Sequence, residues 1–133
     1  MTQPSNPKVT ASARVPEDLS GCPIRNVIHR FGDAWSFLIL LTLGEQDLRF
    51  MALQRTLPGV SQRVLTQTLR QLERDGLISR TVVATVPISV TYALTDLGRS
   101  LMEPARHLLR WAEGANPVIN AARRSYDAAH NEV

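Results

Sequence analysis

Side chains suited to hydrogen bonding with nucleic acids are concentrated in the segment after the Pro58-Gly59 dipeptide. Leu65, Leu69 and Leu72 recur at i, i+4 and i+7, which predicts an amphipathic helix with these leucines turned inward. At about 100° per residue, the first turn and the opposite face carry polar residues, namely Ser61, Gln62, Arg63, Thr66, Gln67, Arg70 and Arg74. Guanidinium and amide groups can bind guanine and adenine edges in the major groove, and a helix N-terminus favours a phosphate. The pattern therefore predicts a helix that reads duplex DNA.

A solvated amphipathic helix with no partner is the alternative interpretation of the same pattern. Such a face would be richer in glutamate, whereas here Glu73 and Asp75 are the only acidic residues and lie near the far end. Residues 77–84 and 88–94, rich in Val, Ile and Thr, then predict two antiparallel strands. Helix, turn, helix and hairpin together favour a winged helix-turn-helix. Arg80, at the base of the hairpin, is the predicted phosphate contact of the wing.

Helical periodicity and punctuation also place the elements that must position this segment. Predicted helices cover residues 23–31, 34–43, 50–57, 61–75, 97–113 and 117–129, with Gly114 and Pro117 separating the last two. The fold class is mainly α with a small β-hairpin (α+β). The predicted organisation is a flexible arm over residues 1–20, one winged helix-turn-helix domain with terminal helices over residues 21–129, and a disordered tail over residues 130–133.

Composition excludes several other classes of protein. The 133 residues fit one domain, and 15 basic against 12 acidic residues give a charge of +3. All the basic residues except Lys8 are arginines, which suit phosphate, although a GC-rich coding sequence produces the same bias. No apolar stretch is long enough for a membrane span or a signal peptide, so we expect a cytoplasmic protein. The absence of phosphate-loop and nucleophile motifs predicts no enzyme, and the spacing of the three histidines and Cys22 predicts no metal or cofactor.

The segment from Cys22 to Trp111 resembles the HxlR family of winged helix-turn-helix regulators, relatives of the MarR regulators. The matching motifs are Cys22-Pro23, Gly32-Asp33-Ala34-Trp35, Leu48-Arg49-Phe50, residues 57–61, residues 65–77, Val86-Pro87 and residues 92–98. The resemblance implies homodimers formed by the N- and C-terminal helices, palindromic operators and control of neighbouring genes, with repression as the expected mode. It places DNA contacts on the residues that the helical wheel selects, namely Ser61, Gln62, Arg63, Thr66, Gln67 and Arg70.

The hairpin departs from the family pattern. Wings of this family carry a basic residue soon after the Val-Pro pair, whereas Val86-Pro87 leads into Ile88-Ser89-Val90. No cation stands between Arg80 and Arg99. We therefore expect a weaker phosphate or minor-groove contact from the wing and a larger share of the affinity from the helix.

Cys22 is the candidate sensor of an effector. In several branches of the family a cysteine before proline responds to oxidants or electrophiles, and a thiol at a helix N-terminus beside Arg25 suits that chemistry. The alternative is a buried small residue that is chemically inert. Two further alternatives stay open: a regulator that responds to a small molecule without a thiol switch, and a winged-helix module that binds another protein.

Overall fold

The computed structural model describes residues 22–31 and 33–131. Its contacts divide the chain into two compact units, one ending at Asp33 and one beginning at Ala34. The described part of the first unit holds helix α1 (Pro23–Phe31). The predicted arm over residues 1–20 and the last two residues of the predicted tail lie outside the described residues.

The second unit contains the helix-turn-helix and the hairpin in the predicted order. Its elements are α2 (Ala34–Leu43), β1 (Leu48–Arg49), α3 (Phe50–Thr56), α4 (Gln62–Arg74), β2 (Ile78–Val83), β3 (Ser89–Leu94), α5 (Asp96–Ser100) and α6 (Met102–His130). The predicted class, mainly helical with a small antiparallel sheet, is confirmed. The two strands and the helix after the Pro-Gly turn each end within two residues of their predicted bounds.

Helix α2 forms the centre of this unit because its ten residues are apolar on almost every side. It contacts α4, α6 and β3, and Ile39, Leu40 and Leu43 are buried. The leucine stripe of α4 packs into the same core, with Leu65 at 0% exposure. Burial of each such side chain stabilises the fold by about 1.5–3 kcal/mol, so the apolar face of α4 is firmly oriented.

The sheet has three antiparallel strands in the order β1-β3-β2. The hairpin was predicted from the sequence, whereas a strand at Leu48-Arg49 was not. These two residues pair with β3, with Leu48 opposite Tyr92. On the other side of β3, Arg80 of β2 is also opposite Tyr92. The third strand therefore ties the start of α3 to the base of the wing.

The C-terminal helices differ from the prediction. The expected break at Gly114 and Pro117 is absent, and α6 runs for 29 residues with Pro117 inside it. Proline fixes a φ angle that a helix accepts, but it has no N–H to donate to the carbonyl four residues earlier. Because α6 is exposed, water can bind that carbonyl instead. The break lies instead at Leu101, between α5 and α6. His130, the first residue of the predicted tail, is the last residue of α6.

Candidate nucleic-acid interface

The turn before α4 determines where this helix begins. Gly59 has a φ of 95°, a left-handed conformation that favours glycine, and the flanking Leu57 and Val60 are buried. Ser61 is the N-cap residue, and its Oγ accepts a hydrogen bond of 3.1 Å from the backbone N–H of Val64. The buried side chains before Ser61 and the hydrogen bond from Val64 after it therefore both fix the start of α4.

The structure places every predicted DNA contact of α4 on its solvent-accessible side. Ser61, Gln62, Arg63, Gln67, Arg70 and Arg74 are exposed, and Thr66 is half-buried. On the opposite side, Leu65, Leu69 and Leu72 are at most 1% exposed. Thr68 is buried with them, and its Oγ1 donates a hydrogen bond of 2.7 Å to the carbonyl of Val64. The polar tips are therefore free to meet a groove while the leucines hold the helix.

A cleft with a volume of about 350 Å³ separates α4 from the sheet. The residues that line it come from α3, α4 and two strands, namely Phe50, Thr66, Arg70, Glu73, Arg80 and Tyr92. Arg70 and Arg80 thus share one cleft, although the sequence assigned one to the helix and the other to the wing. Phe50, Glu73 and Tyr92 were not predicted from the sequence as residues of the site. The i, i+4, i+7 spacing of Thr66, Arg70 and Glu73 could have shown that they form a second stripe.

Four hydrogen bonds, two of them through the side chain of Thr95, attach the base of the wing to the end of α4. The hydroxyl of Thr95 donates to the carbonyl of Gly76 at 2.6 Å and accepts from the backbone N–H of Gly98 at 3.1 Å. The N–H of Thr95 donates to the carbonyl of Leu77 at 3.0 Å, and the N–H of Leu77 donates to the carbonyl of Leu72 at 3.0 Å. The hairpin base, α4 and α5 are thus joined by a continuous set of bonds.

The far end of the hairpin carries no charge. Residues 84–88, which we call the wing tip, are all exposed, and the structure joins Val86 to Pro87 by a cis peptide bond. Val86 is 100% and Ile88 69% exposed. The segment in which the expected basic residue is missing therefore lies on the protein surface.

The Cys22 thiol is buried, with 2% of the residue exposed. Its carbonyl accepts a hydrogen bond of 3.1 Å from the N–H of Asn26, so the residue is part of the start of α1. This position matches the alternative of a buried small residue and differs from an openly accessible sensor. Within residues 22–31 and 33–131, no three His, Cys, Asp or Glu side chains are placed to hold a metal ion.

Helices α1 and α6 each expose apolar side chains. On α1, Ile24 is 61% and Ile28 57% exposed. On α6, Trp111 and Val118 are 63% and 69% exposed. In the described part of the chain, no helix is both long and apolar enough to span a membrane. Trp35 of α2, in contrast, is half-buried and approaches the turn at Gly59.

Known proteins similar to this chain are transcriptional regulators, not enzymes. The HTH-type transcriptional regulator YdeP of Bacillus subtilis (strain 168) is 37% identical over 114 residues, which cover 84% of this chain and 89% of YdeP. The solved structure of the transcriptional regulator YtfH from Salmonella typhimurium has a TM-score of 0.70 and 36% identity, and it covers 78% of this chain and 93% of its own.

A third similar protein is the redox regulator HypR, solved in its reduced form. It superimposes with a TM-score of 0.71 and 31% identity over 74% of this chain and 98% of HypR. The family description "HxlR-like helix-turn-helix" matches residues 30–119, which contain the complete helix-turn-helix and hairpin. The chain therefore belongs to the HxlR family of winged helix-turn-helix transcriptional regulators.

Proposed function

We propose that this regulator acts in the cytoplasm as a homodimer that binds a two-fold symmetric DNA operator and represses the adjacent genes. The observation that carries the proposal is the orientation of α4, whose leucines are buried while its arginine and glutamine tips are exposed. A helix with this polar face can enter the major groove, where its side chains reach the base edges.

The positions of the polar side chains suggest a division of labour. Arg63, Gln67, Arg70 and Arg74 lie within about 60° of one another on the helical wheel. We assign base contacts to the three of them that do not line the cleft, namely Arg63, Gln67 and Arg74. Arg70 and Arg80 line the cleft between helix and wing, where a backbone phosphate could meet both guanidinium groups, two positive charges against the single carboxylate of Glu73 in the same cleft. Ser61 and Gln62, at the N-terminus of the helix, suit a further phosphate contact.

Dimerisation is supported by the apolar side chains of the terminal helices. Leu108, Trp111 and Val118 are more than half exposed and recur along α6 at spacings of three and seven residues. A second copy that covers this stripe would remove it from water. A two-fold dimer would then present two α4 helices to successive major grooves, about 34 Å apart.

The decisive experiment measures binding of the full chain to the DNA upstream of its own gene by fluorescence anisotropy, with a shuffled duplex as competitor. We expect the anisotropy to show a clear preference for the upstream duplex. Footprinting of the same DNA should show a protected region with two-fold symmetry. The Arg63→Ala/Gln67→Ala variant should lose most of that preference, since each good base contact is worth about 1–3 kcal/mol. Arg124→Ala removes an equally exposed arginine from α6, on the side away from the apolar stripe, and serves as the control. Equal binding of both duplexes by the wild type would refute the proposal.

A thiol switch at Cys22 is the second part of the proposal, supported by the similarity to a regulator solved in reduced and oxidised forms. Cys22 is the only cysteine of the sequence, so its oxidation would end in a disulfide between the Cys22 residues of two subunits, a mixed disulfide with a small thiol or a sulfenic acid. In the first case two thiols lose two protons and two electrons to the oxidant. Because the sulfur is buried, its surroundings must open before it reacts.

A protein-interaction module is the competing function, and the uncharged wing tip is the observation that favours it. If the wing tip binds a partner protein and α4 does not bind DNA, an Arg63→Ala/Arg70→Ala variant would retain regulation in the cell. Loss of regulation together with loss of DNA binding would favour the DNA-binding function.

A further inference from the structure

Among the residues that line the cleft, Tyr92 alone comes from the central strand of the sheet. The strand register sets it directly opposite Arg80 on one side and Leu48 on the other. Residues directly opposite each other in neighbouring strands share a face of the sheet, and their Cβ atoms are about 4.5–5.5 Å apart. Because both Arg80 and Tyr92 line the cleft, this shared face is the one turned toward α4.

Tyr92 lies where the sheet leaves the hydrophobic core. Side chains alternate along a strand, so Ile78 and Leu94 are on the same face as Arg80 and Tyr92. Ile78 is 2% and Leu94 3% exposed, whereas Tyr92 is half-buried and Arg80 is exposed. Partial burial therefore restricts the ring of Tyr92 while one side of it stays open to the cleft.

The cleft contains hydrogen-bond donors that have no partner in the chain. Within residues 22–31 and 33–131, no hydrogen bond or ion pair engages the side chains of Arg70, Arg80 or Tyr92. Glu73, the one acidic residue of the lining, forms no ion pair with these arginines. Each guanidinium offers five N–H donors, and the phenol hydroxyl adds an uncharged one. The set therefore suits an acceptor from outside the chain that carries several oxygen atoms.

Resting on the proposed function, we propose that Tyr92 is a third ligand of the DNA phosphate that Arg70 and Arg80 bind, with its hydroxyl donating a hydrogen bond to an anionic oxygen of that phosphate. Tyrosine is among the side chains whose donors contact DNA phosphates. The two arginines supply positive charge, and the phenol supplies a donor whose position is restricted by the partial burial of its ring. Tyr92 thus fixes the phosphate in the cleft, and with it the position of α4 along the groove.

The charge of the cleft favours a phosphate over a base as the partner of Tyr92. Two guanidinium groups and one carboxylate line the cleft, so its net charge attracts an anion. The negative charge of duplex DNA is on its phosphates, not on its base edges. Because a phosphate contact carries no sequence information, Tyr92 contributes to affinity and not to the preference between sequences.

The first test compares the full-length wild type with Tyr92→Phe, which removes only the hydroxyl group, by fluorescence anisotropy between about 50 and 200 mM salt. We expect about tenfold weaker binding to both the upstream and the shuffled duplex, because a hydrogen bond to a charged group is lost. The slope of log K against log salt should stay unchanged, since an uncharged donor releases no counterion, whereas Arg80→Ala should make it shallower. Tyr126→Phe removes the hydroxyl of the other tyrosine, which is exposed on α6, and should leave binding unchanged.

The second test identifies the phosphate by placing a neutral methylphosphonate at one position of the upstream duplex at a time. Tyr92→Phe and Arg80→Ala should both cause their smallest further loss of affinity at the same position, because the two side chains bind one phosphate. Smallest losses at two different positions would overturn the inference.

Urea denaturation separates a contact with DNA from a role in folding. Tyr92→Phe should be as stable as the wild type, because the hydroxyl has no partner in the part of the chain that the structure describes. A less stable variant, or one that binds the upstream duplex as tightly as the wild type, would overturn the inference. Wild-type protein without preference for its upstream DNA would refute the proposed function itself, a result that is distinct from these.

Discussion

Replacing Gly98 by alanine should loosen the junction between α4 and the wing. Gly98 is buried in α5, and a Cβ atom built there overlaps the carbonyl oxygen of Leu77 and lies 3.2 Å from Cδ2 of Leu94. The Leu77 carbonyl belongs to the backbone, so it cannot rotate away as a side chain can. It also accepts the hydrogen bond from the N–H of Thr95, so the displacement would disturb the cap of α5.

The size of the effect follows from opposing contributions. Overpacking in a dense region costs about 1–3 kcal/mol, and weakening the two hydrogen bonds of Thr95 to Leu77 and Gly76 adds about 1 kcal/mol each. Alanine is a better helix former than glycine by about 1 kcal/mol, which offsets part of this loss. We expect the free energy of unfolding to fall by about 2–4 kcal/mol, with a decrease in Tm of roughly 10 °C for a domain of this size.

Urea denaturation followed by circular dichroism measures this change, and Leu97→Ala, at an exposed position of the same helix, is the control. Its side chain is 56% exposed, so this variant should change the stability by less than about 0.5 kcal/mol. A Gly98→Ala protein as stable as the wild type would show that the junction can relax, and the reasoning from close packing would be wrong.

Three further predictions concern the core, the dimer and the effector. Leu69→Ala should lower the free energy of unfolding by about 2–5 kcal/mol because Leu69 is 1% exposed. Leu97→Ala should change it by less than about 0.5 kcal/mol, and urea denaturation measures both changes; equal stabilities of the two variants would contradict the burial of Leu69. Val118→Arg in α6 should convert the dimer into a monomer in light scattering and weaken operator binding, and a dimer that persists would place the interface elsewhere. Cys22→Ser should abolish release from DNA by diamide without changing affinity under reducing conditions, while an unchanged response would indicate a small-molecule effector.

The local features of α4 and of the hairpin could be predicted from the residues themselves. The leucine spacing defines the buried side of α4, and Ser61 and Gly76 mark its ends as the structure has them. Both signals involve neighbours within a few residues, so they do not depend on the rest of the fold. The same holds for the hairpin, whose strands pair across a short connection.

Features that need distant residues could not be predicted in this way. Pairing of Leu48 with Tyr92 joins residues far apart in sequence, and a two-residue strand has no periodicity of its own. The prediction that Gly114 and Pro117 separate two helices was wrong, because it weighed the local preferences of these two residues and not the continuous helix α6 in which both lie. The burial of Cys22 likewise depends on what surrounds the residue and not on its position before a proline.

The amino-acid sequence thus determined which side chains of α4 face outward and that the hairpin lacks cations, because both are properties of a residue and its near neighbours. Only the tertiary structure decided that Arg70 and Arg80 line one cleft, since β2 and α4 are brought together by the core and by the bonds of Thr95. Long-range packing leaves no mark in local periodicity, and it is packing that brings two arginines from separate elements to the same cleft.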